Sequence, residues 1–411
     1  MVLPKPEARS LKPARNVLSL ILFLALTQGA HMSDQKRVWP VPGDEALPIS
    51  NAVEASGLVY VAGQVAVDER GQWVGGGDVK AQTRQAFANV ARALERAGTS
   101  LAQIASVNVY LKRAADFGAM NEAYAGFFTS DPPVRTTIVS DLVDEEALVE
   151  IAVVALPKGA PREVVHPKDW IKSPSPYSYG IKSGDMLFLA GLIARNGKDN
   201  SVVEGDTAVQ TKVALENARA ILEAAGMSVA NVVTARAYIT DVAGFQDMNT
   251  VYRGYFPKDP PARATVVCQL MNPGYRVEIT LFAVKGERRV LTTPNADGSP
   301  GRANPNLSSA VQVGNRLFLS GMLGNTDANR GDARAQTQET LVRLGRTLKA
   351  AGFDWSHVVD GVVYLTDVKD FAAMNAAWRE VFKTSPPARA TVRTGLVAPD
   401  GVVEIMLTAV K

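Results

Sequence analysis

The sequence contains very little cysteine or histidine, and this scarcity excludes several kinds of site. Cys268 is the only cysteine among 411 residues, so neither an internal disulfide nor a cysteine metal cluster can form. The three histidines, His31, His166 and His357, share no spacing typical of metal ligands. We therefore expect a protein that needs no metal, and we expect no organic cofactor.

An excess of charge is also missing from the main part of the chain. The formal net charge is +3, and residues 1–30 alone carry four basic side chains against one acidic side chain. The remainder is close to neutral, whereas proteins that bind phosphate backbones carry clustered positive charge. We therefore expect no nucleic-acid partner.

A long hydrophobic run is absent too. The apolar segment at residues 17–26, VLSLILFLAL, is too short to span a bilayer comfortably and has the length of a signal-peptide core. Residues 1–31 are therefore predicted to be a leader, which places the mature protein in the periplasm or outside the cell. Alternatively, translation starts at Met32 and the protein stays in the cytoplasm. We expect no stable membrane span.

The chain contains one long pattern three times. Segments that begin with Pro-Pro and end with Val-Glu-Ile occupy residues 132–151, 260–279 and 386–405. Each contains one arginine and one glutamate at matching positions, and both residue types recur after 128 and then 126 residues. The chain is therefore a tandem triplication, and each repeat is long enough to form its own core.

Each repeat has the same predicted order of strands and helices. An aliphatic run that ends in glycine predicts a strand, and an amphipathic helix follows between an aspartate and a glycine. A β-rich run, a second helix that the Pro-Pro pair ends, and two more strands complete the repeat. The helix signals are Asp78 and Gly98, Asp206 and Gly226, and Asp332 and Gly352, with second helices starting near Asp116, Asp241 and Asp367.

This order predicts an α+β fold in which two helices cover one face of a sheet. We predict unit 1 at residues 45–158, unit 2 at 173–286 and unit 3 at 303–411, after the leader at 1–31. The linkers are predicted at 158–176 and 292–306, where proline, glycine and polar residues concentrate.

Together these motifs resemble the RidA family, also known as the YjgF family. The resemblance covers nearly all of residues 47–411, three times over. It rests on the opening strand and glycine, a Gln-Thr pair in the first helix, a Met-Asn pair in the second, Pro-Pro-x-Arg and the closing Val-Glu-Ile. It implies chorismate mutase-like domains, each with a mixed six-stranded sheet. Because the family forms homotrimers with clefts between subunits, it also implies an intramolecular pseudo-trimer, which is able to associate further.

The resemblance implies an enamine/imine deaminase that hydrolyses 2-imino acids, such as 2-aminoacrylate, to 2-oxo acids and ammonia. An arginine would bind the carboxylate of this small-molecule substrate, since its planar fork matches that group. A glutamate would position the attacking water and act as general base, and we expect it to stay ionised beside the arginine. These residues are Arg135, Arg263, Arg389, Glu150, Glu278 and Glu404.

Further residues match the pocket of the family. Asn121, Asn249 and Asn375 match its asparagine, and backbone N–H groups near Gly63, Gly191 and Gly321 are expected to approach the ligand closely. Tyr177 matches a tyrosine from a neighbouring unit, and its counterparts are Ile49 and Leu307. We expect three unequal pockets, each with its arginine and glutamate from one unit and its covering residues from the next.

Other interpretations of the same residues remain open. The arginines and glutamates can form purely structural ion pairs, the asparagines can cap or bridge helices, and the glycines can be turn residues only. The repeated Tyr110, Tyr238 and Tyr364 are predicted to be core residues. A non-catalytic protein that binds small carboxylates is one alternative function. A catabolic deaminase or hydrolase of a larger ring-cleavage product is another.

The chain also departs from the family at one repeated position. Many members have a cysteine two residues after the arginine, whereas this chain has Thr137, Thr265 and Thr391. No thiol is therefore expected in any pocket.

Overall fold

The structure, a computed structural model, describes residues 1–2, 36–43 and 47–411. The apolar run of the predicted leader and the alternative start at Met32 lie outside the described residues. Residues Ser33–Lys411 form one compact unit. Within the described segments, none of the helices combines the length and the apolar character that crossing a membrane requires.

The three units share a common succession of six strands and two helices, to which unit 1 adds one short strand and unit 3 adds two. In unit 1 they are β1 Arg37–Pro40, β2 Ser50–Ala55, β3 Leu58–Gln64, α1 Val79–Arg96, β4 Ile104–Leu111, α2 Phe117–Ala125, β5 Val134–Val139, β6 Asp141–Leu142 and β7 Val149–Ala155. In unit 2 they are β8 Glu163–Val165, β9 Gly180–Ser183, β10 Met186–Leu189, α3 Thr207–Ala224, β11 Val232–Ile239, α4 Phe245–Tyr255, β12 Ala262–Val267 and β13 Val277–Val284. In unit 3 they are β14 Arg288–Leu291, β15 Ala310–Val313, β16 Arg316–Leu319, β17 Met322–Leu323, α5 Ala333–Ala351, β18 Val358–Leu365, α6 Phe371–Val381, β19 Ala388–Arg393, β20 Gly395–Leu396 and β21 Val403–Val410.

A six-stranded mixed sheet is common to the three units, which confirms the predicted α+β class. Its order in unit 1 is β1-β2-β3-β7-β4-β5, and β4 and β5 run parallel while the other neighbours run antiparallel. Unit 2 repeats the order as β8-β9-β10-β13-β11-β12, and unit 3 as β14-β15-β16-β21-β18-β19.

Two of the sheets are larger than predicted. Strand β20 of unit 3 pairs with β12 of unit 2, and β6 of unit 1 pairs with β19 of unit 3. With β17 paired to β21 as well, the sheets of units 2 and 3 have seven and eight strands. The sequence of one repeat cannot show the pairing of β6 or β20, because each of these edge strands belongs to a different unit from its partner.

The start and stop signals of the first helices are confirmed. The side chains of Asp78, Asp206 and Asp332 accept backbone N–H bonds of the first turns of α1, α3 and α5. The glycines after these helices, Gly98, Gly226 and Gly352, have φ of 81°, 69° and 80°, which is the left-handed conformation that glycine adopts at little cost.

The second helices and the first linker differ in detail from the prediction. Helix α4 begins at Phe245 rather than near Asp241, because Asp241 caps a short 3-10 turn at Val242–Gly244. The predicted linker at residues 158–176 contains β8, which extends the sheet of unit 2. The linker is therefore partly ordered as an edge strand.

Each sheet buries both of its faces. One face packs under the two helices of its own unit and forms a separate apolar core. The other face contributes to a cluster with residues from all three units. Tyr110, Tyr238 and Tyr364 lie in this shared cluster and are almost completely buried, which confirms their assignment to the core.

One contact between units recurs three times and closes a cycle. A serine hydroxyl donates a hydrogen bond of 2.6 Å to the carbonyl of the first proline in the Pro-Pro pair of another unit. The pairs are Ser178 with Pro132, Ser308 with Pro260, and Ser50 with Pro386. Unit 2 therefore contacts unit 1, unit 3 contacts unit 2, and unit 1 contacts unit 3.

Candidate active site

The predicted arginines and glutamates of different units approach one another at three equivalent positions. The charge of Arg135 acts on Glu278, that of Arg263 on Glu404 and that of Arg389 on Glu150. We name these positions pockets A (Arg135 and Glu278), B (Arg263 and Glu404) and C (Arg389 and Glu150). Each pocket takes its arginine from one unit and its glutamate from another.

The expectation that one unit supplies both residues is therefore wrong, and the sheet explains why. Paired residues on neighbouring strands point to the same face. Arg135 is paired with Val107, which belongs to the core under the helices, whereas Glu150 is paired with Tyr110, which faces the other units. The arginine and glutamate of one unit thus point to opposite faces of their sheet.

An aromatic ring supports each arginine, and sequence reasoning missed these rings. The guanidinium carbon of Arg135 lies 4.7 Å from the centre of the Tyr124 ring on α2. The equivalent distances are 4.5 Å from Arg263 to Tyr252 and 4.8 Å from Arg389 to Trp378. The available signal was an aromatic residue three positions after each pocket asparagine. The ring faces hold the buried cations in place by cation–π attraction.

The three predicted asparagines behave in two ways. Asn249 Oδ1 accepts a hydrogen bond of 2.5 Å from Arg263 Nη2, and Asn375 Oδ1 accepts one of 2.6 Å from Arg389 Nη2. In pocket A, by contrast, Asn121 Oδ1 and Arg135 Nη1 are both buried without a hydrogen-bond partner. Two asparagines therefore orient an arginine, while Asn121 does not; in pocket B one N–H group, Arg263 Nε, is also buried without a partner.

The predicted glycines make room for the glutamates. A Cβ atom at Gly63, Gly191 or Gly321 would lie 1.8, 1.9 or 1.9 Å from Oε1 of the adjacent glutamate, which no side chain tolerates. None of the three has the left-handed backbone of a glycine turn.

The expected role of the glycine N–H groups is wrong for two of the pockets. The N–H of Gly191 donates to the carbonyl of Arg135 at 3.0 Å, and the N–H of Gly321 donates to the carbonyl of Arg263 at 3.2 Å. These groups join neighbouring units, so they are not available to a ligand.

Burial governs the charge of the glutamates. Loss of hydration raises the pKa of Glu150, Glu278 and Glu404 to about 8. In pocket A, a hydrogen bond from the Thr137 backbone and the charge of Arg135 oppose this increase in the pKa of Glu278 without cancelling it. Burial therefore favours the protonated form of these carboxyl groups, whereas the sequence analysis expected them to stay ionised beside the arginines.

The arginines are not neutralised by these glutamates. Among the salt bridges of the described residues, none joins a pocket arginine to a pocket glutamate. This contradicts the alternative of structural ion pairs. The buried charge of Arg135, which lines a cavity, is therefore available to an anion.

Tyr177 lies in pocket A. Its ring centre is 5.8 Å from the guanidinium carbon of Arg135, and both residues line a cavity of about 260 Å³ together with Gly191 and Glu278. Ile49 and Leu307 precede Ser50 and Ser308 in the same way that Tyr177 precedes Ser178, and these serines make the repeated contact with proline.

Two observations bear on the chemistry that the pockets allow. Thr137 lines the cavity of pocket A, and its hydroxyl is buried without a hydrogen-bond partner. In the described segments, no group of three or more histidine, cysteine, aspartate or glutamate side chains is arranged to hold a metal ion.

Comparisons with known proteins agree with the repeat architecture. The family profile described as Endoribonuclease L-PSP matches residues 44–157, 168–285 and 300–411. A RutC family protein of Pyrococcus horikoshii is 40% identical over 124 residues, which are 30% of this chain and 98% of that protein. A RutC family protein of Saccharolobus solfataricus is 39% identical with the same coverage. The crystal structure of RidA from an Antarctic Psychrobacter species matches 30% of this chain and 100% of its own, with 27% identity and a TM-score of 0.29.

Because the profile matches most of the sequence in three successive copies, the chain belongs to the RidA family and carries three RidA-like units in tandem.

Proposed function

We propose that pocket A hydrolyses reactive 2-imino and enamino acids, of the 2-aminoacrylate type, to 2-oxo acids and ammonia. The observation that carries this proposal is the unpaired, buried Nη1 of Arg135, which lines the same cavity as Glu278, a carboxyl whose pKa is raised by burial. Members of the RidA family are generally deaminases of reactive intermediates, which supports the reaction class.

Arg135 binds the substrate carboxylate in this proposal. A buried guanidinium with a free N–H group gains a charge-assisted hydrogen bond when a carboxylate arrives. Tyr124 and Tyr177 lie near the guanidinium and limit its movement. The carboxylate therefore fixes the adjacent C=C or C=N group of the substrate within the cavity.

Glu278 moves the protons. Its neutral carboxyl protonates the β-carbon of an enamino acid, which gives the iminium form and leaves a carboxylate. This carboxylate accepts a proton from water as the oxygen of that water bonds to the iminium carbon. The resulting carbinolamine transfers its hydroxyl proton to nitrogen, the C–N bond breaks, and the 2-oxo acid and ammonia leave.

Two features favour a small acid over RNA as the substrate. The chain beyond residue 30 is close to neutral, whereas RNA binding relies on clustered positive charge. The cavity of about 260 Å³ is slightly below the usual range of small-molecule pockets, roughly 300–1,000 Å³. Both features fit a metabolite with few heavy atoms.

Glu278→Gln tests the proposal. A dehydratase generates 2-aminoacrylate, and its decay is followed with the full-length chain. We expect the variant to lose at least about 100-fold in rate, because the amide cannot exchange a proton, while binding of a 2-oxo acid measured by calorimetry persists. Glu404→Gln is the matched control in pocket B and is expected to keep most of the activity.

The alternative of a binding protein without turnover predicts a different result. The wild-type chain would then bind 2-oxo acids but would not accelerate the decay of 2-aminoacrylate. Equal rates for the wild type and Glu278→Gln would also contradict our proposal.

We propose further that the three units close into an intramolecular pseudo-trimer. The cyclic serine–proline contacts support it, and covalent linkage raises the effective concentration of each unit for the others. Light scattering is expected to give a mass near 43.9 kDa, or less after leader removal. An obligate trimer of chains would contradict this model.

A further inference from the structure

Pocket A contains a second cationic side chain that no repeated motif indicated. Arg195 lines the same cavity as Arg135 and Glu278. Among the salt bridges of the described residues, none involves Arg195. The ionisable residues that line the cavity beside Tyr177 and Tyr275 are therefore two arginines and one glutamate, and burial raises the pKa of that glutamate.

Neighbouring groups hold Arg195 in a defined orientation. Its Nε donates a hydrogen bond of 2.6 Å to the hydroxyl of Tyr275, and its Nη1 donates one of 2.9 Å to the carbonyl of Asn200. The guanidinium carbon also lies 5.5 Å from the centre of the Tyr275 ring. A guanidinium has five N–H donors, so these two bonds leave three for a ligand.

Neither Arg195 nor Tyr275 is repeated in the other units. Arg195 lies four residues after the pocket glycine of unit 2, and the equivalent residues are Val67 in unit 1 and Asn325 in unit 3. Tyr275 lies three residues before the pocket glutamate of unit 2, and the equivalent residues are Ala147 in unit 1 and Gly401 in unit 3. The second cation and its buried tyrosine support are therefore specific to pocket A.

A substrate with a single carboxylate would match only one of the two cations. We propose that pocket A selects dicarboxylic substrates, in which the carboxylate beside the C=N group binds Arg135 and the distal carboxylate binds Arg195. This inference rests on the proposed role of Arg135. Arg195 is then a specificity residue, and Tyr275 is a positioning residue that acts through it.

Two soluble 2-oxo acids test this preference. 2-Oxoglutarate carries a distal carboxylate and 2-oxobutyrate does not, and their binding to the full-length chain is measured by calorimetry. We expect 2-oxoglutarate to bind the wild type at least about tenfold more tightly, since one charge-assisted hydrogen bond accounts for such a factor. Arg195→Met is expected to remove this preference, and Arg195→Lys to restore part of it.

Arg276→Met is the matched control. Arg276 follows Tyr275 directly but is exposed and does not line the cavity, so its loss is expected to leave the preference unchanged. Equal affinities of the wild type for the two acids, or a preference that survives in Arg195→Met, would overturn the inference.

Turnover separates this inference from the proposed function. An amino-acid oxidase generates the imines of glutamate and 2-aminobutyrate, and ammonia release is measured. If no imine is hydrolysed but the binding preference depends on Arg195, the deaminase proposal fails and the dicarboxylate site stands. If hydrolysis depends on Glu278 but neither hydrolysis nor binding favours the dicarboxylic compound, only the dicarboxylate site is overturned and the deaminase proposal stands.

Discussion

Pocket A contains the same motif residues as pockets B and C, but the hydrogen bonds of its arginine and asparagine differ from those in B and C. In B and C, an asparagine of the second helix accepts a hydrogen bond from the arginine, so part of the guanidinium is already paired. In A, Asn121 Oδ1 and Arg135 Nη1 are both unpaired, and Tyr177 and Arg195 line the same cavity. The comparison shows that a repeated motif does not guarantee three equivalent sites, because each pocket also depends on residues that are not repeated.

The largest expected effect is a difference in the loss of activity when each of the three pocket arginines is replaced. We expect Arg135→Met to lower kcat/KM for 2-aminoacrylate by about 100-fold, because a charge-assisted hydrogen bond to the carboxylate contributes roughly 1.5–3 kcal/mol. Arg389→Met is the matched control in pocket C and is expected to change the total rate less than twofold. Steady-state kinetics on purified chains measures both. Equal one-third losses for all three arginines would show that the pockets are equivalent.

A pH profile tests the protonation state that pocket A requires. Burial raises the pKa of Glu278 to about 8, so its carboxyl is protonated below that pH and ionised above it. If the neutral acid donates the first proton, kcat/KM falls as pH rises through about 8 and is roughly tenfold lower one unit above it. An increase in kcat/KM through the same range would show that the carboxylate is the reactive form instead.

The smallest expected effect concerns Tyr177. Its replacement by leucine, the residue at the equivalent position of unit 3, removes a ring close to Arg135. We expect a loss of about threefold in kcat/KM, since a cation–π contact with this half-buried ring contributes roughly 0.5–1 kcal/mol. Leu307→Tyr is the reciprocal variant in pocket B and is expected to leave the rate unchanged. An unchanged rate in Tyr177→Leu would show that the ring does not distinguish pocket A.

Local signals in the sequence predicted much of the fold. The aspartate and glycine at the ends of the first helices act within one turn of chain, so Asp78 and Gly98 were sufficient to place α1. The six-stranded sheet followed from the family resemblance. The added strands β6 and β20 were not predicted, because their pairing depends on contacts between units that no local pattern encodes.

The candidate site was predicted less completely, for two physical reasons. The first is that packing between units decides which glutamate faces Arg135 and how strongly burial raises the pKa of Glu278. The second is that a search for repeated residues finds what the three units share. Arg195 and Tyr275 occur once each in their positions, so this search could not reveal them.

The division of each pocket between two units has a genetic consequence. In an assembly of three identical chains, a codon change that introduces an arginine alters all three pockets at once. In this fused chain the same change alters one pocket, because the sequences of the three repeats mutate independently. Arg195 illustrates the difference between the repeats: it places a cation in the pocket that unit 2 shares with unit 1, while Val67 and Asn325 occupy the corresponding positions of the other units. Fusion therefore lets the residues of each pocket differ from those of the other two within one chain.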